Sequence, residues 1–268
     1  MNKNFIKLAL SVLVLFSANV SFAEITVSKE VSSEITAKGY YPNQNGLFKA
    51  IQNGNISVVS LFLNSDIPVN IQDIYGRTPA YLASATANTK LLDLLLYNGA
   101  DINIRANNGK TPLMAAIEAK SLDTIKLLVE RNANLRAADE KERTPLHYAV
   151  INNQPKIVQY LISNFCDVDA PDEKGFSPIF YSIGKNIEII ELLISNGADK
   201  EYQDNEGKTP LHHAVINCEY DDVKYLVNAG ANVNIPDKTE HTPIYYAKTK
   251  GYADIYKFLL ENGAKKPD

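Results

Sequence analysis

Apolar residues recur along the chain in short, dense clusters separated by polar segments. Seven clusters have the spacing of a buried helix face: residues 58–63, 91–96, 125–129, 157–162, 187–194, 223–227 and 255–260. Residues at this spacing lie on one side of a helix, so each cluster predicts a helix with one apolar face in the core. Their regular recurrence indicates a repeated unit, in which each copy packs against its neighbours.

A hexapeptide that begins with Thr-Pro or Ser-Pro precedes six of these clusters. A Thr or Ser hydroxyl can cap a helix, and Pro fits the first helical position, where its missing N–H costs nothing. Each hexapeptide therefore predicts the start of a first helix, followed by the apolar second helix. The copies start at Thr78 (TPAYLA), Thr111 (TPLMAA), Thr144 (TPLHYA), Ser177 (SPIFYS), Thr209 (TPLHHA) and Thr242 (TPIYYA), at intervals of 33, 33, 33, 32 and 33 residues.

The TPLHxA hexapeptide, repeated in register at this period, resembles the ankyrin repeat. The resemblance implies an all-α ankyrin-repeat solenoid of helix-turn-helix units, with β-turn or hairpin fingers projecting between them. The unit before Thr78 keeps Leu47 and Ala50 but lacks Thr-Pro, as expected for a terminal capping repeat. The resemblance covers residues 45–268 in about seven units: 45–77 (N-terminal cap), 78–110, 111–143, 144–176, 177–208, 209–241 and 242–268 (C-terminal cap).

Departures from the repeat pattern predict local irregularities. Phe165 stands where other units have a helix-terminating Gly, so we expect a shifted loop there. Glu142 and Glu240 replace the Gly of the finger turn, and we expect these two fingers to be less regular. The interval of 32 residues indicates one residue missing at Gly184 and Lys185, in the turn between two helices.

The N-terminus has the features of a secretory signal peptide. Lys3 and Lys7 precede an apolar run at residues 8–16, and the small residues of Ser21-Phe22-Ala23 predict cleavage after Ala23. An uncleaved anchor is the alternative, but the run is shorter than the roughly 20 apolar residues that a membrane span needs. We therefore expect an exported protein, periplasmic or secreted. Residues 24–44 are interpreted as a linker, with one short turn around residues 32–35.

Export draws attention to the two cysteines, because disulfides persist in oxidising compartments. Cys166 falls after a second helix and Cys218 at the end of a first helix, two repeats apart. These positions lie at opposite ends of the helix pair, too far apart for a bridge that needs Cα atoms within about 7 Å. We expect two free, packed thiols, with an intermolecular disulfide as the alternative.

Catalytic and metal-binding patterns are absent from the sequence. There is no HExxH, Cys cluster, GxSxG or GxxxxGK[ST] motif. The resemblance implies that His147 and His212 are structural residues that bond between neighbouring loops. Because every residue after 44 belongs to a repeat, we expect no enzyme activity, no cofactor and no metal. The net charge of -4, without a Lys/Arg cluster, argues against a nucleic-acid partner.

The best candidates for a binding surface lie four residues after each hexapeptide start and in the fingers. In ankyrin proteins these positions border a concave groove, and aromatic side chains are enriched in interface hot spots. The alternative is that the rings only fill the gap between first helices. Aromatic residues become more frequent from the Thr144 unit onward, which favours the C-terminal half. The candidates are Tyr148, Tyr181, His213 and Tyr246 in the helices, and Tyr75, Arg77, Arg143, Phe176, Lys208 and His241 in the fingers.

We therefore expect a noncatalytic protein-protein interaction scaffold that is exported and binds one protein partner through the concave face and finger tips. The protein is expected to be a monomer, without stable membrane insertion once the signal peptide is cleaved. The alternative is a secreted effector or toxin-neutralising protein that acts on a host or rival cell.

Overall fold

The computed structural model describes residues 27–266, and the regular structure among them is entirely helical, as predicted. The signal peptide and its cleavage site lie outside the described residues. Within the described part, none of the helices has the length and apolar character needed to cross a membrane. The chain divides into a smaller unit, residues 27–50 and 55–68, and a larger unit, residues 51–54 and 69–266.

The smaller unit contains an N-terminal helix that the sequence does not predict. Helix α1 spans Lys29–Ala37 and is followed by α2 (Gln44–Gln52) and α3 (Ile56–Leu63). Ser28 caps α1 by accepting from the N–H of Val31 at 3.4 Å, and Ile35 is fully buried where α1 packs against α3. The segment expected to be a linker with one short turn therefore contains a nine-residue amphipathic helix.

The larger unit is built from pairs of helices, with first helices packed on first helices and second helices on second helices. One first helix is a short 3₁₀ helix instead of an α-helix. In chain order the elements are α4 (Pro79–Ala85), α5 (Thr89–Tyr97), α6 (Pro112–Glu118), α7 (Leu122–Glu130), α8 (Pro145–Ile151), α9 (Pro155–Ser163), the 3₁₀ helix (Pro178–Ser182), α10 (Ile187–Ser195), α11 (Pro210–Ile216), α12 (Tyr220–Asn228), α13 (Pro243–Lys250) and α14 (Ala253–Glu261).

The Thr-Pro positions start the first helices as predicted. The Thr78 hydroxyl accepts from the N–H of Tyr81 at 3.1 Å, and the next residue, Pro79, is the first of α4. Five residues after each start, a small residue is completely buried between packed helices, as at Ala83 and Ala149. Close approach of neighbouring helices depends on this column, because a larger side chain there would overpack the core at a cost of about 1 to 3 kcal/mol.

The loop around Phe165 is not shifted, and that prediction is wrong. Phe165 itself adopts the left-handed conformation, with φ of 62°. The N–H of the next residue, Cys166, donates to the carbonyl of Leu161 at 3.4 Å, as the N–H of Ala100 donates to Leu95 in an earlier repeat. The side chain of Phe165 is 91% exposed, so it meets no neighbour that would push the loop aside. The cost is the local strain of a bulky residue at positive φ.

The fingers that carry Glu142 and Glu240 are also regular, contrary to the prediction. Both residues take the left-handed conformation, with φ of 60° and 64°. The N–H of Glu142 donates to the backbone carbonyl of Asp139 at 3.0 Å, and that of Glu240 to the carbonyl of Asp237 at 2.9 Å. The N–H of Gly76 donates to the carbonyl of Asp73 in the same way, at 2.9 Å. The hydrogen bonds of the turn thus impose the same backbone on Glu as on Gly.

The missing residue in the unit at Ser177 changes more than the turn to which the sequence assigned it. The first helix itself becomes the 3₁₀ helix, and it ends at Ser182 with Ile183 in an extended conformation. Shortening the segment by one residue leaves it unable to form the seven-residue α-helix seen in the preceding unit. This unit is therefore the least regular of the larger unit.

Candidate functional site

Each finger turn in the C-terminal half is organised by a buried Asp. In the finger before α8, one carboxylate oxygen of Asp139 accepts from the N–H groups of Lys141 at 2.8 Å and Arg143 at 2.9 Å. Asp172, Asp204 and Asp237 make the equivalent bonds in the following fingers. These four Asp residues are at most 6% exposed, so they hold the fingers from inside.

The second carboxylate oxygen of each Asp accepts a hydrogen bond from a side chain of the first helix. The Tyr148 hydroxyl donates to Asp139 Oδ2 at 2.6 Å, and the Tyr181 hydroxyl to Asp172 Oδ2 at 2.5 Å. His213 Nε2 lies 2.7 Å from Asp204 Oδ2, and the Tyr246 hydroxyl donates to Asp237. The polar ends of this column therefore fasten fingers to helices.

This fastening is visible in the sequence as Asp and Tyr or His nine residues apart, a signal that our sequence analysis missed. The one finger with Ala106 in place of Asp has Ala115 at the partner position. Asp73 is followed by Leu82 at the partner position and instead pairs with Arg77 at 2.7 Å. The ring column thus has a structural role wherever its partner Asp is present.

Burial and hydrogen bonding perturb the acids and phenols of this column. Burial raises the pKa of Tyr148, and its bond to Asp139 raises it further. Burial alone would raise the pKa of Asp237, but hydrogen bonds from Thr239, Tyr246 and backbone N–H groups lower it to about 2. The carboxylate is therefore charged and the phenol protonated at neutral pH, which is the state that makes the bond strongest.

The candidate side chains differ in how much of their surface is exposed. Tyr148 is only 3% exposed, so its ring offers a partner almost no area. Tyr75 is 59% exposed, the largest exposure in the predicted set. The remaining candidates are half-buried: Arg77, Arg143, Phe176, Tyr181, Lys208, His213, His241 and Tyr246.

Phe176, at the end of its finger, is the centre of a cluster of rings. It stacks on Phe180 with centroids 5.0 Å apart, and it meets His213 and Tyr181 edge to face at 5.1 and 5.7 Å. Phe180 is buried, whereas the other three rings are half-buried. The cluster therefore joins three successive repeats and still presents ring edges at the surface.

A second cluster lies at the boundary between the last two repeats. His241 stacks on Tyr245 with centroids 3.6 Å apart and meets Tyr246 edge to face at 6.0 Å. Lys208 Nζ lies 5.9 Å from the Tyr246 ring centroid and pairs with Glu206. Aromatic rings with an adjacent cation are suited to binding a side chain of another protein.

The N-terminal end of the larger unit carries a separate exposed site at the first finger. Ile74 is 85% exposed beside Tyr75, and the Arg77 guanidinium lies 4.7 Å from the Tyr75 ring centroid. Among the described residues, no ring contact joins Tyr75 to the two aromatic clusters. Eight of the ten candidate side chains thus form three groups, and the other two, Arg143 and Tyr148, contact each other beside Asp139. The most exposed group lies outside the C-terminal half that the sequence favours.

His147 and His212 have the structural role that the resemblance implies. His147 Nδ1 accepts from the N–H of Thr144 at 3.1 Å, so Nε2 carries the proton and donates to the carbonyl of Phe176 at 2.9 Å. His212 makes the same bonds to Thr209 at 3.0 Å and to the carbonyl of His241 at 3.1 Å. Burial lowers the pKa of both rings, that of His212 to about 4.

The cysteines and acidic groups offer no metal site within residues 27–266, where no group of three or more potential ligands is close enough to hold an ion. Both cysteines are free, as predicted. Cys166 is packed, and burial raises the pKa of its thiol to about 12. Cys218 is exposed in the turn after α11, so the expectation that both thiols are packed is wrong for this residue.

Comparisons with known proteins agree with this architecture. A family model described as ankyrin repeats (3 copies) matches residues 19–106, 83–172, 164–237 and 179–268. No curated protein matches the chain. The crystal structure of the ankyrin repeat domain of Bcl-3, described as a unique member of the IkappaB protein family, is similar with a TM-score of 0.72. The two share 27% sequence identity, and the alignment covers 82% of this chain and 99% of that one. The chain therefore belongs to the ankyrin-repeat family.

Proposed function

We propose that the protein is an exported, noncatalytic binding protein that holds one protein partner at the finger ends and first helices of the larger unit. Ankyrin repeats generally mediate protein-protein interaction, and proteins built from them are typically noncatalytic scaffolds. The observation that carries the proposal is the ring cluster around Phe176. Its rings come from three successive repeats and hold one another in place, while their edges remain accessible.

Rigid aromatic side chains are good anchors because little conformational entropy is lost when they are covered. Phe176 and Tyr181 are therefore the proposed anchors, with Arg143 and Lys208 on either side along the repeat order. Tyr148 contributes indirectly. Its ring lies 5.2 Å from the Arg143 guanidinium carbon, and both side chains bond to Asp139, so Tyr148 orients Arg143.

The basic side chains of the fingers favour a protein over a nucleic acid as the partner. Arg77, Lys110 and Arg143 each pair with a carboxylate at 2.7 to 2.8 Å. Nucleic-acid binding needs unpaired cations that replace the counterions of the phosphates, and it is favoured by a basic surface. The chain carries a net charge of -4, and these three finger cations are already paired with carboxylates.

The test of the site compares two phenylalanines. In one variant Phe176→Ala removes the half-buried ring, and in the matched control Phe165→Ala removes a ring that is 91% exposed outside all three groups. The partner is first captured by photocrosslinking from position 176 and then titrated against each purified variant. We expect Phe176→Ala to weaken binding at least about tenfold, a hot-spot effect of about 1.4 kcal/mol. Equal affinities of the two folded variants would remove Phe176 from the site.

Export is tested independently of binding. The proposal predicts that the protein isolated from its own cells begins at Glu24, measured by mass spectrometry of periplasmic and medium fractions. Recovery of the chain with residues 1–23 attached, in the cytoplasmic fraction, would contradict export. Accumulation in the medium or in a target cell would favour an effector or toxin-neutralising role over a periplasmic one.

A further inference from the structure

Four departures from the repeat pattern meet at one place in the larger unit. The repeat at residues 177–208, called the fifth repeat here, is one residue short and starts with the 3₁₀ helix. Phe176 precedes it at a position where other fingers have Arg, Lys or His. His213 and Asp222 follow it in the next repeat, where other repeats carry mostly Tyr and mostly Leu or Ile at the equivalent positions. Phe176 and His213 contact Phe180 within the 3₁₀ helix, and Asp222 bonds to Gly184 in the turn after it.

The 3₁₀ helix lacks the hydrogen bond that closes the first helix elsewhere. In the neighbouring repeats, the N–H of Gln154 donates to Ala149 at 3.0 Å and that of Glu219 to Ala214 at 2.9 Å. In the fifth repeat the equivalent carbonyl, that of Ser182, accepts from Lys185 at 3.1 Å and closes a tighter turn. The hydroxyl of Ser177, which would cap the helix, is buried without a hydrogen-bond partner.

A buried carboxylate holds the other side of the fifth repeat. The N–H of Gly184 donates to Asp222 Oδ2 at 2.6 Å, and Asp222 is only 7% exposed. The equivalent residues Leu91, Ile157 and Ile255 pack as core instead. An open cleft of about 530 Å³ adjoins this bond, bordered by Lys185, Asn186, Glu219, Lys224 and Tyr225. Asp222 thus makes a polar bond where Leu91, Ile157 and Ile255 make apolar contacts. In the third repeat the equivalent residue, Thr124, is also polar and buried, and its hydroxyl bonds to Thr89 and Ser121.

On the finger side, the rings supply packing around the shortened helix. Phe180, within the 3₁₀ helix, lies between Phe176 at 5.0 Å and His213 at 5.3 Å. His213 is itself fixed by Asp204 at 2.7 Å. The 3₁₀ helix and the turn after it are therefore flanked by the ring cluster on one side and by the Asp222 bond on the other.

We infer that the fifth repeat is the joint at which the larger unit opens. The 3₁₀ helix and the turn after it unfold locally while the repeats on either side remain folded. The stability of a repeat array is approximately the sum of the stabilities of its repeats and of the interfaces between neighbours, so opening begins at the weakest repeat. This inference does not depend on the identity of any partner.

Hydrogen exchange of the full chain tests the joint without a substitution. Amides in residues 178–186 are expected to exchange at least about tenfold faster than those in residues 145–153 and 210–218, a ratio equivalent to about 1.4 kcal/mol. Both reference segments contain the seven-residue first helix that the fifth repeat lacks. Equal protection in the three segments would overturn the inference.

A set of three variants then tests the Asp222 bond. Asp222→Ala removes the acceptor for Gly184, and exchange in residues 178–186 is expected to rise several-fold further, without change in residues 145–153. Asp222→Asn keeps an acceptor oxygen and is expected to restore most of the protection. Asp221→Ala, at the exposed neighbouring position, is the control and is expected to change nothing. If exchange in Asp222→Ala rose equally in all segments, Asp222 would stabilise the whole array, and the inference of a local joint would be contradicted.

Discussion

The buried histidine His212 predicts a specific loss of stability in mild acid. Its ring is completely buried, and burial lowers its pKa to about 4, whereas a histidine in the unfolded chain has a pKa of about 6.5. Between these two pH values the ring is protonated in the unfolded state and neutral in the folded state. The free energy of unfolding contributed by His212 is therefore intact above about pH 6.5 and is lost as the pH falls toward 4.

The size of the effect follows from the two pKa values. Each pKa unit corresponds to about 1.4 kcal/mol, so lowering the pH from 7 to 5 should cost about 2 kcal/mol through this one ring. His212→Gln keeps an acceptor for the N–H of Thr209 and cannot titrate. The substitution should lower the unfolding free energy at pH 7, because the bond to the carbonyl of His241 is lost. Between pH 7 and 5, however, the variant should lose about 2 kcal/mol less unfolding free energy than the wild type.

The assay is urea unfolding at pH 7, 6 and 5, followed by far-UV circular dichroism because the chain contains no Trp. His147 has its pKa lowered in the same direction, but it is present in both proteins and cancels in the comparison. Asp139 and Asp237, whose pKa values are also lowered, titrate below this pH window. The same pH dependence in wild type and His212→Gln would refute the assignment of a neutral, buried His212.

Three further predictions follow from single side chains. Tyr148→Phe removes the hydroxyl that donates to buried Asp139, and we expect a loss of about 1.5 to 3 kcal/mol in urea unfolding, against less than about 0.5 kcal/mol for Tyr97→Phe, which is 86% exposed. Phe165→Gly relieves a left-handed backbone and should raise the unfolding free energy by about 1 kcal/mol, so a loss would mean that the exposed ring has a stabilising contact. With a thiol reagent at neutral pH, Cys218 should react at once and Cys166 only on unfolding; rapid reaction of both would contradict the burial of Cys166.

The fingers show how much of the site the sequence contained. Asp139 could be assigned to turn formation from its position alone, because Asp side chains bond to backbone N–H groups two and four residues ahead. Its second bond, to Tyr148, could have been read from the nine-residue spacing shared with Asp172 and Tyr181. That Tyr148 is buried, however, depends on how neighbouring repeats pack around it, and no spacing within one repeat contains that information.

Local rules account for what the sequence determined. The Thr-Pro starts, the helix period, the buried Ala83 column and the loop bonds of His147 each depend on residues in one repeat or its immediate neighbour. A repeated segment makes the same contacts at every copy, so agreement in register was enough to predict the solenoid of helix pairs. Departures such as Phe165 and Glu142 were misjudged because their backbone is imposed by the hydrogen bonds around them.

The tertiary structure alone decided which side chains remain accessible and how the short repeat folds. The sequence made both Tyr148 and Phe176 candidates for the binding surface, yet packing buries the first and leaves the second half-buried in a ring cluster. The missing residue was visible as an interval of 32 and was assigned to the turn, but only the structure shows that the first helix itself becomes a 3₁₀ helix. Periodicity reports contacts that are alike in every repeat, whereas exposure and strain arise from the contacts that differ.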